Sequence, residues 1–94
     1  MQDMVVNEIA NRLCAIPPAE LEQNIASGYS IVGDLEPYKF QLRIAKAMMD
    51  TSIDRDYLLD WMLANRPGYG MVLFNNRDWY DREVQAVNEF IANL

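Results

Sequence analysis

The sequence predicts an all-α fold: a compact bundle of four to five helices in one domain spanning residues 1–94. Three observations lead there. Apolar residues recur at three- and four-residue spacing, most cleanly in the last stretch, where Tyr80, Val84, Val87, Ile91 and Leu94 fall on one side of a helix turning roughly 100° per residue. Proline, glycine and aspartate stand between the periodic segments, where helices start and stop. Half the chain is apolar (51%), enough for a core in 94 residues without disulfides.

The first helix is expected over residues 2–14, with Val5, Val6, Ile9 and Leu13 on one side and Asn7, Glu8, Asn11 and Arg12 on the other. Pro17 and Pro18 end that segment and open the next, because proline suits the first helical turn. The second helix, residues 18–27, points Leu21 and Ile25 one way. Gly28 follows where a left-handed C-terminal cap belongs. Asp34 resembles an N-cap for a third helix running to about Met49. In that helix Lys39, Arg43, Lys46 and Asp50 form one narrow polar stripe. Tyr38, Phe40, Leu42, Ile44, Ala45, Ala47, Met48 and Met49 take most of the remaining circumference, so the third helix is expected to be central.

Thr51 and Asp54 frame the fourth start as a capping box. That helix carries YLLDWML, residues 57–63, in which six of seven side chains are large and apolar or aromatic. A helix with so little polar surface must be covered by the rest of the chain, a second copy or another partner. It is expected to be central and to lend one edge to an interface. Arg66 suits the carbonyls at its C-terminus, and Pro67-Gly68 reads as a type II turn. Asn75 or Asn76 caps the last helix, which runs to near Leu94.

Two runs are ambiguous, because periodicity does not separate a short buried strand from a helical turn. YSIV (29–32) and MVLF (71–74) leave open a minor two-stranded β element.

Composition narrows the chemistry. The chain has no histidine and one cysteine. That excludes Ser-His-Asp triads, Cys-His pairs, His-containing zinc sites and all-cysteine zinc sites. No motif for a cofactor, metal or phosphate loop is present, so neither cofactor nor catalysis is expected. Cys14, at a helix C-terminus, is a poor nucleophile. The initial residues lack the basic region of a signal peptide, and no run approaches a membrane span. With a lone thiol, this reads as a cytoplasmic protein.

Fourteen acidic residues against eight basic ones give a net charge of −6. Such a balance disfavours direct nucleic-acid binding and permits a basic protein partner. Four carboxylates, Asp50, Asp54, Asp56 and Asp60, lie within eleven residues without the spacing or glycine of a calcium loop. They read as a cap and a solvated face, or as an acidic contact for a basic partner. Lys39, Arg43 and Lys46 read as a water-facing stripe or as a basic contact strip. Tyr69, Phe74, Trp79 and Tyr80 surround a glycine-containing loop and suit either the plugged end of a bundle or a binding surface. Glu83 lies inside the apolar arc of the last helix and calls for an ion pair, a place at the core rim or a catalytic role.

The expected function is a non-catalytic protein–protein interaction module. Its sharper form is a small acidic inhibitor of a basic, nucleic-acid-handling partner, of the anti-CRISPR, anti-restriction or immunity type, by likeness of size and charge. A homodimer, a nucleic-acid-associated regulator using the basic helix face, and a small ligand-binding helical protein are the alternatives.

Overall fold

A computed structural model describes residues 2–48 and 52–94, with side chains from residue 7 onward. Among these the chain forms seven α-helices and one 3₁₀ turn: α1 Gln2–Leu13, α2 Pro18–Ala26, α3 Ile31–Leu35, the turn Glu36–Tyr38, α4 Lys39–Met48, α5 Arg55–Asn65, α6 Pro67–Asn75 and α7 Arg77–Ala92. No strand occurs among the described residues. The class is all-α as expected, but the helices are more numerous and shorter than the four to five anticipated.

Local signals set several boundaries. Pro18 occupies the first turn of α2. Gly28 adopts φ +95° just past the helix end. There the Tyr29 N–H donates to Asn24 O at 2.9 Å and the Gly28 N–H to Ile25 O at 3.1 Å, the paired bonds of a Schellman motif. Asp54 caps α5, its carboxylate accepting from the Asp56 N–H at 2.7 Å and the Tyr57 N–H at 3.5 Å. Thr51, the other half of the expected capping box, lies outside the described residues, as do Met49 and Asp50.

Elsewhere the structure corrects the reading. The YSIV–MVLF ribbon does not form: residues 31–32 begin α3, and 71–74 lie within α6. Pro67 opens α6 instead of forming a type II turn with Gly68. The physical reason lies in tertiary contact. Gly70 has no side chain, so α6 lies directly on the α5 backbone, and a Cβ there would sit 2.7 Å from Leu63 Cα. Of all the helix pairs, α5 and α6 are in the most extensive contact. They enclose Leu58, Leu59, Met62, Val72 and Leu73. The apolar excess of YLLDWML is therefore largely covered within the chain.

The single third helix is also corrected. Asp34 lies inside α3 rather than capping a helix. Pro37 then falls in a 3₁₀ turn that separates α3 from α4, consistent with the loss of one backbone donor. α3 and α4 pack on α1 and α7, while α2 packs on α6. The buried side chains form one contiguous cluster with Leu13, Leu21, Leu35, Tyr80 and Ile91 among them.

α7 matches its expectation most closely. Tyr80, Val84, Val87 and Ile91 are all buried. Asn76 precedes this helix, but its side chain donates backwards to Val72 O at 2.8 Å, closing α6 rather than capping α7. Asn88 accepts from the Ile53 N–H and donates to Ile53 O, both at 3.0 Å. That pair of bonds holds the segment before α5 against α7.

Candidate interaction surface

α4 carries two apolar arcs. Leu42 and Ala45 face the core. Phe40, Ile44 and Met48 recur every fourth residue and so share another face. That face is exposed: Phe40 is 69%, Ile44 44% and Met48 71% accessible. The third helical pattern is therefore not central, contrary to expectation. Its cations turn toward the end of α7. The Lys46 ammonium donates to Ala92 O at 2.6 Å, meeting the carbonyl end of α7. Lys39 pairs with Glu36 at 2.9 Å and lies 5.8 Å from the Phe90 ring centroid. Lys39 and Arg43 line a shallow notch with Phe90, Asn93 and Leu94. With the basic stripe turned toward the end of α7, one apolar arc is left facing out. Two of the three residues in the possible basic contact strip are thus engaged within the chain, and Arg43 is exposed.

The acidic set stays at the surface. Asp54, Asp56 and Asp60 are exposed. Arg55 lies among them, 2.6 Å from Asp56 and 3.2 Å from Asp81. Such exposed pairs contribute little to stability. The edge carries more negative than positive charge.

The aromatic set divides. Trp79 is 8% accessible, and its indole N–H donates to Tyr29 O at 2.9 Å while the two rings stack. Tyr80 is fully buried, and its hydroxyl has no hydrogen-bond partner among the described residues. Tyr69 is half-buried and donates to Ile16 O at 2.6 Å, joining α6 to the chain between α1 and α2. Phe74 is exposed, with the Arg77 guanidinium 4.6 Å from its ring centroid. Trp79 and Tyr80 therefore belong to the plugged bundle end, and only Phe74 presents substantial ring surface to solvent.

Glu83 is buried, yet it makes neither of the ion-pair or rim arrangements expected of it. Its carboxylate accepts from Ser30 Oγ at 3.3 Å and from the Ile31 N–H. It thereby serves the start of α3 from a different helix. Burial pushes its pKa up, opposed by the Ser30 and Ile31 donors and by Arg82. A carboxyl whose folded pKa is raised loses stability as pH climbs through the window from the ordinary carboxylate range to that raised value. Glu83→Gln keeps the acceptor oxygen and removes the charge. It is expected to be more resistant to urea than the parent at neutral pH, with the difference vanishing below the ordinary carboxylate range. Urea midpoints at acidic and neutral pH check this. A variant weaker at neutral than at acidic pH would show the charge to be net favourable.

Burial raises the Cys14 thiol pKa, against the lowering influence of Arg66. Among the described residues no group of three or more acidic or cysteine side chains could hold a metal ion, and no helix is long and apolar enough to cross a membrane. What the surface offers is an apolar ridge on α4 and an acidic edge at α5. The ridge was legible as a row of apolar residues, but not as an exposed one.

Compared with protein-family models, with curated proteins and with solved structures, the chain matches none.

Proposed function

We propose that the chain is a non-catalytic protein–protein interaction module whose docking element is α4. The observation that carries this reading is the outward row Phe40, Ile44 and Met48. Anchors spaced by one helical turn are how a helix engages an apolar surface. Exposing two such side chains by about 70% on one helix face costs solubility unless something covers them.

The exposed edge Asp54, Asp56 and Asp60 supports the finer reading, an acidic inhibitor of a basic, nucleic-acid-handling partner. Its carboxylates are mutually close in sequence, and the chain as a whole carries −6. A partner held there binds more weakly as salt rises, because the contact is exposed and screened.

Both are tested by using the tagged chain as bait beside two double variants, Phe40→Ser/Met48→Ser and Asp56→Lys/Asp60→Lys. All three should have the same far-UV circular dichroism, since every substituted residue is exposed. A stoichiometric protein held by the parent and lost from the first variant supports docking through α4. Loss from the second, together with release by salt, supports a basic partner. Retention unchanged by either pair of substitutions would remove the reading.

A further inference from the structure

We propose that the α4 ridge is covered by the α4 ridge of a second copy, in a weak antiparallel dimer centred on Ile44. This rests on the docking role given to α4 above and names its occupant.

Phe40, Ile44 and Met48 form a row of every fourth residue, with Ile44 midway. A two-fold axis at Ile44 sets Ile44 against its counterpart and Phe40 against Met48 of the second copy, twice over. An aromatic ring on a thioether is a favourable contact. Ala47, beside the row, is small and exposed, so the two helices can come close there.

Charge points the same way. The residues flanking the row on the helical wheel are Gln41 on one side and Ala47 on the other, both uncharged and both exposed. Lys39 and Lys46 are engaged by Glu36 and by Ala92 O, off this face. Two chains of net charge −6 repel through most of their surfaces. The α4 face lets them approach without like charges in contact. Arg43, exposed and next beyond Ala47 on the wheel, is the nearest charge among the described residues, and it lines the notch with Phe90 and Leu94.

Area sets the strength. At the exposures of Phe40, Ile44 and Met48, and at about 200 Å² for a large apolar side chain, the row offers on the order of 400 Å² per copy. A pair buries about 800 Å², below the roughly 1,200 Å² at which specific interfaces become firmly stable. The dimer is therefore a weak, concentration-dependent one. Higher salt strengthens it by screening the repulsion between the copies, opposite to a contact through the aspartates.

The test is sedimentation equilibrium of the untagged chain from micromolar to millimolar concentration, at low and high salt. The expected result is a monomer–dimer equilibrium that tightens with salt. Ile44→Lys, which brings two ammonium groups together at the axis, should weaken it at least tenfold with unchanged circular dichroism. Phe40→Lys and Met48→Glu should each weaken it, and the double variant should recover, because antiparallel pairing sets residue 40 against residue 48. A parent chain that stays monomeric throughout overturns the proposal. It leaves α4 docking intact if the Phe40→Ser/Met48→Ser bait still loses a different protein. A dimer indifferent to Ile44→Lys, or a double variant weaker than either single one, overturns the antiparallel seam.

Discussion

Replacing Gly70 by alanine is expected to destabilise the fold by about 3 kcal/mol or more. The added Cβ would sit 2.7 Å from Leu63 Cα, 2.8 Å from Leu63 N and 2.9 Å from Leu63 Cδ2. The first two are backbone atoms of α5 and have no rotamer through which to yield. Relief requires α6 to move off α5, and that uncovers Leu59, Met62 and Leu73 together. Alanine's better helix propensity returns only about 1 kcal/mol. Gly68→Ala is the control. It lies in the same helix, and its Cβ would meet only Pro18 Cγ at an ordinary 3.6 Å. There the propensity gain is expected to dominate, with a stabilisation of about 0.5–1 kcal/mol. Urea unfolding of both variants checks the pair. Equal stabilities for the two would mean that α5 and α6 do not lie as close as described.

Trp79→Ala is the second large effect, a loss of about 3–5 kcal/mol. Such a change approaches the whole stability of a small domain. Trp79 is 8% accessible, stacks on Tyr29 and donates its indole N–H to Tyr29 O. Truncation empties the space at the start of α7 and leaves that carbonyl without its donor. Trp79→Phe keeps most of the apolar volume and should lose about 1–2 kcal/mol. Phe74→Ala, at an exposed ring, should stay within about 1 kcal/mol. The distinction bears on function. An alanine at Trp79 that abolished partner binding would report unfolding rather than a contact, so melting curves must accompany any binding assay. A Trp79→Ala protein as stable as its parent would place the indole at the surface.

Much of the fold was legible because its signals are local. The period of α7 is set by residues within one helix; Tyr80, Val84, Val87 and Ile91 bury as expected, while Leu94 lies past the helix end and is half-buried. The Pro18 start, the Schellman turn at Gly28 and the Asp54 cap each depend on a few neighbouring atoms. The candidate surface was less legible. Tyr69, Phe74, Trp79 and Tyr80 look alike as a cluster of aromatics, yet two are core, one is a half-buried tie and one is exposed. Nothing local distinguishes them, since each fate depends on which helix packs opposite.

By itself the sequence determined the helical class, most helix boundaries, the acidic balance and the absence of histidine chemistry. Tertiary structure alone decided two matters. It made MVLF helical, because a side chain missing at Gly70 lets α6 lie on Leu63 of a segment elsewhere in the chain. It also chose which apolar arc of α4 to bury. Leu42 and Ala45 on one side, and Phe40, Ile44 and Met48 on another, both satisfy a helical pattern. With Leu42 and Ala45 turned inward, Lys46 reaches the carbonyl end of α7 and Lys39 settles by Phe90. Periodicity reports that a helix has apolar faces. Only the partners across the interface decide which of them meets water.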